Sequence, residues 1–482
     1  MTDIIKTADL LVRQIETGCL SHFAYLIHSN GQTAFVDVLR DVGDYLKFAE
    51  EFPGTVKYIL ETHYHADFVS GFYELAEKTG ATIVFGPNAN PTFKALEAKH
   101  DQLLELGNYH IRVLHTPGHT FESSCFVIEK VQEKIAVITG DTLFLGEVGR
   151  PDLAQKGDIT EKDLAHMLFN SLKHLKALPD SCLVLPGHGA GSACGKSIEA
   201  GKFCDIGRQK VKNQPFHETD EAKFVEMVTA GLPPAPSYFF MDVGLNKKGE
   251  LPQMEEVIAK SFVAMTPEVV EEQGKSPHVY VVDIRSGPEF AKEHIPGSIF
   301  VPYDGTFSIF TAYFVNPQDG DKIILITPAG KEKEAITRLS RTGLDCVVGY
   351  LEGGIEAWKL QGRPLNKTQV VQYASHDEFV EKTGDGVVID VRNPGEWESG
   401  VFENSKLLNL SALKKTIHTS QEADKTQKRY LHCKLGGRSL LGVCLLEKAG
   451  FTNVANIAGG FEKMKEAGVK SKTELPPKST SL

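Results

Sequence analysis

The sequence predicts an α/β protein of several domains, and three observations predict it. Short β-branched runs alternate with helical stretches along the chain. Turns bearing histidine or aspartate follow several of those runs in the N-terminal part. A block in the C-terminal half then recurs. At 482 residues, with roughly 150 residues per domain, three or four domains fit. A hydrophobic content of 41% is ordinary for globular cores.

In the first part, the apolar runs at 33–37, 56–60, 82–85, 112–114 and 135–139 read as strands, and 72–78 reads as a helix. The proline-rich stretch Gly231-Leu-Pro-Pro-Ala-Pro236 does not continue a helix and marks a break. Beyond it the chain repeats. Val281-Val-Asp283-Ile-Arg285 recurs as Val388-Ile-Asp390-Val-Arg392, and Gly353-Gly354 with its following helix recurs at Gly459-Gly460. Each copy has buried-type strands between helical segments, the pattern of a small parallel-sheet domain. The expected organisation is a domain at 1–240, a linker at 241–261, repeats at 262–366 and 367–472, and a disordered Lys/Pro/Ser/Thr-rich tail at 473–482.

Composition excludes several function classes. A net charge of −11 argues against nucleic acid as a partner. No apolar run approaches the roughly 18 residues of a membrane span, and the N-terminus lacks a basic-then-apolar signal. Eight scattered cysteines without a C-x-x-C pair indicate free thiols in a reducing cytoplasm.

The run Glu61-Thr-His-Tyr-His-Ala-Asp-Phe-Val-Ser70 places His63, His65 and Asp67 at one strand end, in a chain with only 17 histidines. Gly118-His119, Gly140-Asp141, Gly149-Arg150-Pro-Asp152 and Gly187-His188 follow. Glycine beside a candidate ligand lets the backbone turn sharply, so that imidazoles and carboxylates point to one centre. The run is similar to the His-x-His-x-Asp-His signature of the metallo-β-lactamase superfamily, with Phe68 in place of the last histidine. The resemblance covers residues 1–240 and implies an αββα sandwich. It is closest to the persulfide dioxygenases. That implies one Fe(II) per chain on His63, His119 and Asp141, two histidines and a carboxylate with positions open for substrate and O₂. A single-metal site does not need a histidine at position 68. His65, Asp67 and His188 would then orient ligands and waters. Arg150 either holds an anionic group or pairs with Asp152. Cys194 either packs as a small thiol or sits near the iron to carry or position sulfur.

The second repeat carries Cys433-Lys434-Leu435-Gly436-Gly437-Arg438-Ser439 after a strand. Backbone N–H groups, a helix N-terminus and Arg438 around a thiol stabilise an anionic sulfur. Arg438 stands five positions after Cys433, one too few for a Cys-x₅-Arg phosphatase loop. The pattern resembles a rhodanese. The first repeat has Thr327 and Glu332 at the equivalent positions and resembles an inactive copy, fit for spacing, docking or oligomerisation.

Taken together, the chain resembles a persulfide dioxygenase–rhodanese fusion of sulfide detoxification: α/β multidomain, a metallo-β-lactamase αββα sandwich followed by two rhodanese-like α/β domains. The resemblance implies oxidation of a small-molecule persulfide by O₂ to sulfite, thiosulfate formation through Cys433, and a homo-oligomer, dimer or tetramer. Two other readings stand beside it. One is a glyoxalase-II-like thioester hydrolase on two metals. The other is a sulfur-carrier protein with a degenerate metal domain.

Overall fold

Alternate residues of the strand His22–Ser29 face opposite ways: Tyr25 and Ile27 enter one apolar core, Ala24 and Leu26 another. A strand buried on both faces needs a layer on each side, and that requirement shapes the first domain. The computed structural model describes residues 1–131, 133–154, 159–232, 235–236, 238–303, 306–419 and 423–473. Most of the tail expected at 473–482 lies outside these residues, as do Pro233 and Pro234 of the expected break. The chain divides into two units, Met1–Met254 with Ser340–Gly343, and Glu255–Leu339 with Leu344–Leu482.

In the first unit, a seven-stranded sheet runs in chain order from Thr2–Lys6 to Leu96–Glu97. A six-stranded sheet is ordered Cys204–Asp205, Leu183–Pro186, Glu133–Gly140, Ser124–Lys130, Tyr109–His115, Leu103–Leu106. The two sheets share a central core that includes Val12, Ile27, Val36, Leu60, Phe126 and Ile138. On the outer face of the first sheet, the helices Gly43–Glu50 and Phe72–Thr79 cover Phe35, Ile59 and Ile83. Outside the second sheet, Glu161–Lys176 and Glu221–Thr229 cover Val127, Val137 and Val184. The result is the expected helix–sheet–sheet–helix sandwich. The strands Thr55–Leu60, Tyr109–His115, Glu133–Gly140 and Leu183–Pro186 each end just before one of the histidine or aspartate turns.

Residues 241–261 differ from the linker expected there. They carry most of one helix, Phe239–Lys248, and all of another, Met254–Ser261. The first of these is held to the domain by Asn246, whose Nδ2 donates to the carbonyls of His65 (2.8 Å) and Phe68 (2.9 Å) and whose Oδ1 accepts from Ser70 N–H. A proline-rich stretch upstream concealed this from a reading of composition.

The second unit holds two five-stranded sheets of the same order. The first is Ala264–Met265, Val347–Leu351, Lys322–Ile326, Val279–Asp283, Ile299–Phe300; the second is Gln369–Val371, Val454–Ile457, Arg429–His432, Val387–Asp390, Lys406–Leu407. Every pairing within them is parallel. The repeat is internal as well as topological. Arg285 pairs with Asp283 and Arg392 with Asp390, each at 2.7 Å, at the same strand end.

Phe126 is fully buried between the two sheets of the first unit. Phe126→Ala should destabilise that unit by about 3–5 kcal/mol. In a calorimetric scan its transition should fall by roughly 10 °C, with the transition of the second unit unmoved.

Candidate functional site

The loop after strand Thr55–Leu60 is fixed before any metal is considered. Asp37 sits at a positive φ of 54°, a conformation Asp tolerates better than most residues. Its carboxylate accepts from Thr62 N–H and from Thr62 Oγ1–H, both at 2.8 Å. Thr62 Oγ1 in turn accepts from His63 Nδ1–H at 2.9 Å, which leaves Nε2 bare. His119 is oriented in the same manner: its Nδ1–H donates to the Arg150 carbonyl at 3.0 Å. The two free Nε2 atoms lie 3.9 Å (His63) and 3.5 Å (His119) from Asp141 Oδ2. That oxygen has no hydrogen-bond partner. All three side chains are buried, and their ligand atoms fall within 4.8 Å of one another.

An orphaned buried carboxylate oxygen facing two bare imidazole nitrogens fits a cation. Burial, then the neighbouring imidazoles, hold His63 well below the usual histidine range, so it stays the neutral ligand a metal requires. Burial pushes the Asp141 carboxyl up, but His188 and His119 outweigh it and keep the group ionised. Gly187 is required here: a Cβ on it would stand 2.7 Å from Asp141 Oδ1.

The remaining residues singled out from the sequence divide into two sets. His65 does not join the cluster. Its Nε2 faces Asp37 at 3.2 Å and Glu61 at 3.6 Å, and its ring stacks on Phe68 with centroids 4.2 Å apart. Phe68 itself is fully buried in the apolar layer with Tyr64 and Phe72. Asp67 and His188 lie beside the cluster. His188 bridges two carboxylates, Nε2 to Asp67 and Nδ1 to Asp141, each at 2.8 Å. Cys194 is buried against this pair. Arg150 takes the structural alternative: its guanidinium pairs with both oxygens of Asp152, at 2.6 and 2.7 Å, and donates to the Ala193 carbonyl. The roles of Glu61 and Thr62 were not read from the run that contains them, and Asp37 and the fully buried His22, packed on Phe68, were missed because nothing in the chain order near residues 22 or 37 signals proximity to residue 63.

In the second unit, Cys433 ends the strand Arg429–His432 and the helix Gly437–Lys448 follows. Gly436 N–H donates to the sulfur at 3.1 Å, and Ser439 Oγ stands 3.6 Å from it. Asn456 braces the loop, donating to the Gly436 carbonyl and accepting from Ser439. Arg438 is held by both oxygens of Glu396, at 2.6 and 2.7 Å. Neither Asn456 nor Glu396 was legible from the loop sequence. Lys434 and Leu435 are exposed at the tip. Gly460, at a φ of 57°, brings the following turn close enough for Phe461 N–H to reach the Cys433 carbonyl at 2.7 Å.

The first repeat shows what replaces this cradle. The Glu332 carboxylate folds into its own loop, accepting from Thr327 Oγ1 at 3.1 Å and Gly330 N–H at 3.2 Å. The groups that would receive an anion are already occupied by one. This repeat also backs the helix Gly437–Lys448 of the other. A Cβ on Gly437 would stand 3.9 Å from Pro302, one on Gly287 would stand 3.5 Å from Leu440, and Lys448 lies over the Tyr280 ring at 5.0 Å, the spacing of one helical face.

Residues 17–188 match the profile of the Metallo-beta-lactamase superfamily, and residues 266–361 and 375–467 match that of the Rhodanese-like domain. The architecture is therefore a metallo-β-lactamase fold followed by two rhodanese-like domains. A hydroxyacylglutathione hydrolase of Bradyrhizobium sp. (strain BTAi1 / ATCC BAA-1182) is 35% identical over 176 residues, 35% of this chain and 64% of that protein. The chain thus spans about 64% of the length of that curated relative. A crystal structure named as a metallo-beta-lactamase from Staphylococcus aureus subsp. aureus COL is 29% identical and covers 71% of this chain and 99% of its own, with a TM-score of 0.63. The structure of ETHE1 from Myxococcus xanthus is 26% identical and covers 50% of this chain and 99% of its own, with a TM-score of 0.43.

Two substitutions test these placements. Thr62→Val removes the hydroxyl between Asp37 and His63 and should weaken metal binding about 10-fold or more, read by competition with a chelator. Glu396→Gln releases Arg438 and should raise the KM for an anionic sulfur donor by roughly tenfold, with metal content unchanged.

Proposed function

We propose that the chain oxidises a low-molecular-weight persulfide to sulfite with O₂ at a single Fe(II), and makes thiosulfate by sulfur transfer through Cys433. One observation carries this reading. His63, His119 and Asp141 converge, while His65 is turned onto Asp37 and Glu61 and Phe68 is sealed in the core. Two imidazoles and one carboxylate are the donor set that suits non-haem Fe(II). A formed anion cradle around a cysteine on the same chain supplies the second half.

Iron bound at these residues supplies Lewis acidity and O₂ chemistry. The protein supplies placement. Arg150 and Thr62 fix the tautomers of His119 and His63, and burial excludes bulk water. In the second unit, the Cys433 thiolate attacks the outer sulfur of a persulfide. The S–S bond breaks and the carrier thiolate leaves. Sulfite then attacks the outer sulfur of the Cys433 persulfide, thiosulfate and a proton depart, and the thiolate is restored. Gly436 N–H faces the sulfur through both steps, and Arg438 adds positive charge beside it.

The thioester-hydrolase reading is favoured by the 35% identity to a hydroxyacylglutathione hydrolase. It requires two metals sharing a hydroxide, and the turned-away His65 and buried Phe68 weigh against that arrangement. In a sulfur carrier without catalysis, the convergence of His63, His119 and Asp141 would have no purpose.

Iron-loaded protein should consume O₂ with a persulfide, and His63→Ala should abolish the uptake. Cys433→Ser should keep O₂ uptake and release sulfite, with thiosulfate falling to the uncatalysed level by anion chromatography, because a serine hydroxyl is almost never ionised. Thr327→Ala should change neither. Hydrolysis of a glutathione thioester by protein holding two zinc ions, without O₂ uptake, would replace this reading with the hydrolase.

A further inference from the structure

The first unit holds four residues from far along the chain, Ser340–Gly343. They form the turn that ends the helix Glu332–Ser340 of the first repeat, closed by Gly343 at a φ of 68°. Nothing in the proposed reaction calls for them, yet they lie against the run that carries His63. Val69 N–H donates to the Arg341 carbonyl at 2.7 Å. The next two amides turn elsewhere: Ser70 N–H donates to Asn246 Oδ1 at 2.8 Å, and Gly71 N–H to the Val38 carbonyl at 3.1 Å. Three consecutive donors at the far end of the run are thus met by three distant segments.

The turn is itself held from several sides. The Arg341 guanidinium is forked on Asp41, Nε to Oδ1 at 2.7 Å and Nη2 to Oδ2 at 2.6 Å, and Nη1 lies 3.5 Å from Cys19 Sγ. A planar fork fixes orientation as well as distance. Arg40 Nη1 donates to the Ser340 carbonyl at 3.2 Å. Ser340 and Thr342 are buried. Gly343 packs so closely that a Cβ on it would stand 2.6 Å from Asp242 Oδ1, on the helix Phe239–Lys248 that also carries Asn246. Turn, helix and run therefore close on one another.

We propose that Arg341 is a positioning residue for the metal cluster, and that the turn it anchors holds the Asp67–Ser70 end of the run and through it the place of His63. Thr62 fixes the near end of the run and the tautomer of His63. No helix or extended strand intervenes between Leu60 and Phe72, so outside acceptors must set the path of the far end. The first repeat thereby gains a task that needs no thiol. This role depends on a cation at His63, His119 and Asp141, and not on the reaction run there.

The test uses the full chain and Co(II), whose visible bands report ligand geometry. Affinity is read by competition with a chelator, and amide exchange by mass spectrometry of peptides. Arg341→Met should weaken Co(II) binding about 10-fold and alter the visible bands. It should also speed exchange across residues 61–71 while residues 133–140 stay protected. Arg341→Lys keeps the charge without the fork and should fall between the two. Asp41→Asn should act in the same direction as Arg341→Met. Arg363→Met breaks an ion pair of the second unit, Arg363 to Glu268 at 2.9 Å, and should change none of these readings. Wild-type affinity with unaltered bands in Arg341→Met would overturn the proposal, as would the same result in Asp41→Asn should Arg341→Met not fold. Iron-dependent O₂ uptake is read separately. Wild-type protein that binds Co(II) but, loaded with iron, consumes no O₂ with a persulfide sinks the dioxygenase reading and leaves this one standing.

Discussion

The Asp141 carboxylate is the charge around which the first domain is arranged. A buried carboxylate is destabilising by several kcal/mol unless partners surround it. Here the partners arrive from three different strand ends: His63, His119 and His188. None is near Asp141 in sequence. Only two face-to-face sheets with their strand ends aligned can deliver them together, so the packing of the central core and the ionisation of one side chain support each other. The neighbouring pair Asp37 and Thr62 extends the same logic outward, setting the ring of His63.

The second unit shows one scaffold used in two ways. Strand order, the Asp–Arg pair at a strand end and the double glycine turn are common to both repeats. What differs is the loop between strand and helix. With cysteine and arginine it presents N–H groups to a sulfur; with threonine and glutamate it satisfies those groups internally. The sequence marks Glu332 only as standing where the other copy has Arg438. The geometry is more definite, since its carboxylate accepts the Gly330 N–H and the Thr327 hydroxyl itself.

Much of this was legible before any coordinates. The strand runs, the repeat and the glycine-flanked ligand turns follow from periodicity and local backbone chemistry, which act over a few residues. The two parallel-sheet repeats appear as those signals predicted, and the sandwich appears as the resemblance to the metallo-β-lactamase superfamily implied. Contacts between distant segments were not legible. Nothing near residue 246 announces that Asn246 clamps the 65–70 loop, and nothing near 396 announces a partner for Arg438. The direction taken by His65 was hidden in part for the same reason, because Asp37, one of the two buried carboxylates that it faces, comes from a separate strand end, while Glu61 lies four residues before it.

The contact between the helix Gly437–Lys448 and the first repeat bears on which substitutions that repeat can accept. With Thr327 in place of a thiol, its own loop is under no demand from sulfur chemistry. The surface formed by Tyr280, Gly287 and Pro302 stays constrained, because the helix that follows the Cys433 loop leans on it. Chemical and packing constraints therefore separate within one small domain. A repeat shaped in this way serves as a buttress for its sibling, and substitutions should be tolerated on its silent loop and costly on its supporting face.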